Sequence, residues 1–293
     1  MVSVFFENGI LVLLASCIFF AVFDSLIKYL LDSFTMGQIA FVRFGFGALM
    51  MLPALMKQRF GITRPDFFYL VLRGLLGAAV FYTTLRAFQV GTLSVTMVLF
   101  YTNSLWALFM GAFFLDEKLT RKRIACVTAA LLGIVILIDP WGKGFVYGHL
   151  YGLAAGMMAG ATTVVTRHLR ARQDSRIIYA FQCWVGTFFS IPFVVGEVRM
   201  PGLAEGAILF IVAVSGLIAQ VVMNYGFRFI GAAEGATLLM IEAVLTAFVG
   251  ILIFHEPLTL AFLVGTVMIL GSGIYLGLRA GRNWQENPVP KLP

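Results

Sequence analysis

The chain has 293 residues, of which 60% are hydrophobic and only 12% charged, with a mean hydropathy of +0.95. An ordinary soluble domain carries about 25% charged residues, so this composition excludes a soluble globular protein and points to a polytopic membrane protein. The net charge of +7 is not a nucleic-acid signature, because the basic residues lie between apolar runs and not together on a soluble face.

In chain order, the N-terminal MVSVFFENG lacks the basic region of a cleavable signal peptide. The apolar run behind it is long enough to span a bilayer and is expected to remain as a helix. Spans need about 20 apolar residues each. On that basis the candidate helices are 8–30, 36–56, 67–89, 92–114, 121–139, 148–168, 177–196, 206–227, 232–254 and 259–279. These ten spans are joined by short loops with no room for a soluble domain. Residues 281–293 read as a polar, proline-bearing cytoplasmic tail without regular structure. Cys17, Cys126 and Cys183 all fall within apolar segments and read as small packing residues, with no metal or disulfide framework.

Lysine and arginine counts give the orientation. Fifteen basic residues flank the spans on one side, including Lys57, Arg59, Arg64, Lys118, Arg121 to Arg123, Arg228 and Lys291. Only Arg86, Lys143 and Arg199 lie on the other side, so both termini are expected to be cytoplasmic. Lys28, Arg43 and Arg73 fall inside spans.

The chain also repeats itself. At a spacing of 139 residues, Lys28 meets Arg167, Pro53 meets Pro192, Gly111 meets Gly250 and Glu117 meets Glu256. The clearest pair is FFLDEKLT (113–120) against LIFHEPLT (252–259). With a three-residue slip, Gly74 and Arg86 match Gly216 and Arg228. This divides the chain into five-helix halves at 1–140 and 141–280. Five is odd, so the copies are expected to sit upside down relative to each other. Inverted repeats around a midplane site are the architecture of many secondary transporters.

Two five-helix halves, each with an E-x-L-T turn (Glu117 to Thr120; Glu256 to Thr259) before a glycine-bearing last helix, resemble the EamA type of the drug/metabolite transporter superfamily. The D-x-x-x-K of span one, with Arg43 and Arg73, further resembles a bacterial branch of that family. The resemblance implies ten helices around a central cavity and export of small metabolites such as amino acids. Family members often have a proline in mid-span four, where this chain has Asn103, so substrate assignments tied to that region do not carry over.

The candidate site residues are the polar groups inside spans. FFAVFDSLIKYL (19–30) places Asp24 and Lys28 one helical turn apart in span one. A charge at bilayer depth costs roughly 2.5–3.5 kcal/mol on insertion scales. Arg43 enters span two by about seven residues, roughly 10 Å, which brings it level with Asp24. The cluster reads either as a carboxylate-holding site on the transport path or as an ion-pair network tying spans one and two, with Lys28 snorkelling outward. Glu242 lies in mid-span nine, and its mate at spacing 139 is Asn103. Glu242 and Asp24 are the proton-coupling candidates. Tyr82, Tyr101 and Trp106, with Asn224 as the approximate mate of Tyr82, are candidate cavity walls. Gln182, Trp184 and Gln220 are weaker candidates. Arg73, Arg86 and Arg228 read as anchors or gate pairs. Gly152, Gly156 and Gly160 form a close-packing stripe, within the chain or between protomers.

No hydrolase or metalloprotease motif is present, so an enzyme is not expected. The expectation is an all-α secondary transporter, exporter or exchanger, of a small carboxylate-bearing metabolite in a bacterial inner membrane. It needs no cofactor or metal, can couple to a proton or an exchanged solute, and is a monomer or homodimer. The alternatives are a multidrug exporter, a lipid flippase or a scaffold.

Overall fold

The computed structural model describes residues 9–56, 62–114, 121–138, 146–170, 172–195, 198–226 and 238–286. The Glu117 to Thr120 turn, Lys57, Arg59, Lys143, Arg228 and Lys291 lie outside these residues. Every element among the described residues is helical, and helices overlap all the spans read from the sequence. They are α1 (Gly9–Leu30), α2 (Met36–Met56), α3 (Arg64–Val90), α4 (Leu93–Phe100), α5 (Asn103–Phe114), α6 (Arg121–Ile138), α7 (Tyr147–Arg170), α8 (Ser175–Val194), α9 (Leu203–Gly226), α10 (Ile241–Ile253) and α11 (Leu260–Glu286). By length and composition, α1, α3, α8, α9 and the Met36–Pro53 stretch of α2 can each cross a membrane. Many large apolar side chains, such as Leu49, Phe68, Phe188, Phe248 and Val267, face outward. In a membrane protein this is the lipid-facing surface.

Three differences from the sequence reading stand out. The span expected to run unbroken over 92–114 is two helices, interrupted at Tyr101 and Thr102. The span expected over 232–254 is likewise interrupted at Met240, a turn between helical Leu238–Leu239 and α10. No proline or glycine marks either break. At the first, local bonds absorb the freed backbone groups. Thr102 donates its hydroxyl to the Leu99 carbonyl at 2.6 Å and accepts from the Trp106 indole at 3.2 Å. The other difference is at the C-terminus, where α11 continues to Glu286 and makes part of the expected irregular tail helical.

The core is made by contacts between the two halves. α2 packs along α8, α1 along α9, α3 along both α7 and α8, and α6 along α11. The glycine stripe of α7 lies against the interrupted span within the same chain. A Cβ at Gly156 would stand 2.6 Å from the Leu99 carbonyl oxygen, and one at Gly160 would stand 2.6 Å from Trp106 Cβ.

The HEPLT segment after α10 is a two-way cap. His255 has a positive φ of 53°, which ends α10 and turns the chain. Glu256 then reaches across to the N-terminus of α4. Its carboxylate accepts from the backbone N–H of Leu93 at 2.5 Å and of Ser94 at 2.9 Å, and from the Ser94 hydroxyl at 2.5 Å. Thr259 caps α11 by accepting from the Phe262 N–H at 3.0 Å. One acidic turn thus closes one helix, starts the next and ties the second half to the first.

Candidate functional site

A cavity of about 270 Å³ lies where the interrupted spans meet α1, α2 and α3. Its polar lining is Asp24 from α1, Arg43 from α2, Arg73 from α3, Tyr101 and Asn103 from the first break, and Glu242 from α10. Gln182 of α8, Gln220 of α9, Thr84 of α3 and Thr162 of α7 complete it. Between these groups the walls are apolar, with Phe20, Phe81, Phe88, Phe100, Met97 and Met223 prominent.

The acids meet at one end. Tyr101 caps α4 in the first half of the chain and donates its hydroxyl to Glu242 Oε2 at 2.8 Å. Glu242 occupies the first turn of α10, where backbone N–H groups are still free to face a negative charge. The Asp24 carboxyl is its neighbour on the same cavity wall. Both acids are buried, with 7% and 5% of their surfaces exposed for Asp24 and Glu242.

Arg43 is held differently from the sequence expectation. In place of a direct ion pair with Asp24, its guanidinium lies over three rings, 4.2 Å from the Phe81 centroid, 4.9 Å from Phe44 and 5.0 Å from Phe23. The aromatic faces supply much of the electrostatic support that a carboxylate would have given. No carboxylate contacts Arg43 within ion-pair distance among the described residues, and the group fronts the cavity near Asp24.

The structure separates the remaining candidates. Lys28 turns away from the cavity and donates to the carbonyls of Phe88 and Gly91, the latter at 2.7 Å, so it caps the end of α3. Four carbonyls are left open at any helix end, and a lysine one turn from Asp24 reaches them more easily than it reaches the acid. Tyr82 packs against Phe189 and Phe193, and Trp106 packs against Phe109. Neither lines the cavity, and neither does Asn224, one turn beyond Gln220 on α9. Trp184 joins the cluster of Ala48, Tyr179 and Cys183. Arg86 bonds Gln89 at an exposed position.

The sequence places Arg73 near a span end, where it reads as an anchor or a gate pair; in the structure its side chain lines the cavity. Its Nε donates to Thr166 Oγ1 at 2.6 Å, while Nη1 is buried with no partner among the described residues. A usable signal was Gly77 one turn later, whose missing side chain leaves the space that Arg73 enters.

A sequence model of the EamA-like transporter family matches this chain twice, over residues 7–139 and 146–278. The chain belongs to the EamA-like transporter family. Among its EamA relatives is an S-adenosylmethionine uptake transporter of Rickettsia bellii, 24% identical over 86% of this chain and 87% of the relative. Another is the pseudopaline exporter CntI of Pseudomonas aeruginosa, 23% identical over 92% of this chain and 96% of that protein. A solved crystal structure superposes with a TM-score of 0.64 at 17% identity, covering 94% of this chain and 98% of that one, which establishes a shared fold. The family is one of membrane transporters and not of enzymes, so the EamA chain is a membrane transporter.

Proposed function

We propose that the protein is a secondary active transporter, an exporter or exchanger, of a small carboxylate-bearing metabolite of amino-acid-like character. It works by alternating access in a bacterial inner membrane, with two inverted five-helix repeats moving about the cavity and both termini cytoplasmic. The observation that carries this reading is the Tyr101–Glu242 hydrogen bond, made at the interruption of one span in each half, beside Asp24 and Arg43. Interrupted helices that face a midplane cavity are where secondary transporters bind substrate.

Other features support it. Tyr101 and Met240 are 139 residues apart, the spacing of the sequence repeat. The helix pairings also exchange when the halves are exchanged: α3 with α7 answers α9 with α1, and α3 with α8 answers α9 with α2. A cavity of about 270 Å³ lies just below the roughly 300–1,000 Å³ of drug-sized pockets, which favours a small metabolite over a multidrug substrate. The match to a pseudopaline exporter supports export.

Coupling follows from the carboxyl pair. Asp24 and Glu242 hold a proton between them, and a substrate ammonium entering the pair displaces it. The other groups around Glu242 are Tyr101 of α4 and Cys17 of α1, with Arg43 of α2 beside Asp24. Counterflow in proteoliposomes tests the reading. Saturable exchange of carboxylate-bearing metabolites is expected. Absence of exchange across a broad metabolite panel overturns transport, and preference for cationic drugs over carboxylates overturns the substrate class.

A further inference from the structure

We propose that Arg73 and Gln182 form a carboxylate-binding subsite in the cavity, set apart from the Asp24–Glu242 pair, so that the cavity binds a zwitterion end to end. The proposal rests on the transport reading for its purpose and on its own geometry for its chemistry.

The geometry centres on Gly77. A Cβ built there would stand 2.8 Å from Arg73 Nη1 and 2.9 Å from Gln182 Nε2. Both N–H donors therefore pack against the bare Gly77 backbone as neighbours, filling the space that a side chain there would take, and both side chains line the cavity. Arg73 is anchored through Nε to Thr166, whose hydroxyl in turn donates to the Thr162 carbonyl at 2.6 Å. Anchoring one edge of the guanidinium fixes the direction of the other. That free edge carries Nη1, buried and without an acceptor among the described residues. A buried donor left unmade costs free energy, and a charged one costs more, unless a ligand supplies the oxygen. Guanidinium beside an amide N–H is an arrangement suited to the two oxygens of a carboxylate.

Arg43 is the rival receptor and is less suited. Its guanidinium is already covered by the rings of Phe23, Phe44 and Phe81 and has Asp24 among its charged neighbours. Among the described residues no acid lies within ion-pair distance of Arg73, and Arg43 is a charged neighbour. The cavity thus has an acidic end at Asp24, Glu242 and Tyr101, a basic end at Arg73, and Arg43 on its phenylalanine cage between them.

The test uses the full chain purified in detergent. Melting shifts are titrated with L-methionine and L-phenylalanine, each against its amide and its decarboxylated amine. The wild type is expected to bind the carboxylate forms at least about tenfold more tightly than the amides. In R73Q that preference falls to within about twofold, and R73K restores part of it. G77A keeps every charge but puts a methyl between the two donors, and it is expected to abolish the preference as well, so the test survives if R73Q fails to fold. Equal binding of acid and amide by the wild type, no binding of any carboxylate, or an undiminished preference in R73Q and G77A overturns the subsite. Counterflow run in parallel separates the two readings. A carboxylate preference lost in R73Q without any exchange by the wild type sinks transport and keeps the subsite. Exchange with unchanged selectivity in R73Q does the reverse.

Discussion

Glu242 and Glu256 flank the same helix, α10, and the fold uses them in opposite ways. Glu256 has a full set of partners: two backbone N–H groups and a hydroxyl at the start of α4. Glu242 has Tyr101 and then another acid, Asp24, and both acids front the cavity. The cations divide the same way. Lys28 spends its ammonium on two carbonyls at the end of α3, whereas Arg73 keeps a buried N–H without an acceptor among the described residues. In a low-dielectric interior a charge with complete local bonding is structural. A charge whose bonding is incomplete beside a cavity is placed for a ligand or a proton.

That contrast breaks first, and by the largest margin, at Glu242. E242Q removes the ionisable group beside Asp24 but keeps its shape. Counterflow is expected to fall by about a hundredfold and to lose its pH dependence, with melting little changed. An unaltered rate and pH profile would place Glu242 beside Glu256 as a structural acid. E256A is the converse experiment. It orphans three donors at the α4 N-terminus, so a loss of about 3 kcal/mol of stability is expected, read as a lower melting temperature in detergent. The protein that still folds should keep its substrate preference; a changed preference would mean that the cap also shapes the site.

Smaller effects sharpen the division among the remaining candidates. K28M removes the cap on α3 and should cost about 1–2 kcal/mol in stability while leaving substrate affinity within about twofold. A selective loss of affinity with unchanged melting would return Lys28 to the binding site. Y82F removes a buried hydroxyl near Ser190 that has no well-formed hydrogen bond among the described residues, and leaves the ring packed on Phe189 and Phe193. Melting should stay level or rise slightly, and transport should be unaffected. A measurable drop in exchange would show that the Tyr82 hydroxyl meets the solute.

The extent of the helices was legible because apolar run length and turn residues are local properties. α2 begins and ends where the sequence placed it, and α1, α6 and α9 agree to within a few residues. The interruptions at Tyr101 and Met240 were not legible, since no proline or glycine stands at either break and the apolar runs on both sides are long enough to read as one span. The break at Tyr101 persists because Thr102 and the packed glycines of α7 satisfy and accommodate the displaced backbone. The glycine stripe itself was visible, but not its partner within the chain.

For the candidate site, intramembrane charge alone brought Asp24, Arg43 and Glu242 into consideration, and the repeat spacing added Asn103. By itself the sequence determined that this is a polytopic helical protein with costly charges inside its spans, because hydropathy and charge are summed along the chain. Only the tertiary structure decided which of those charges are already satisfied. Lys28 and Glu256 find their partners on residues about 60 and 160 positions away, a matter of helix packing that no local pattern encodes. Arg73, which looked like an anchor, faces the cavity for the same reason.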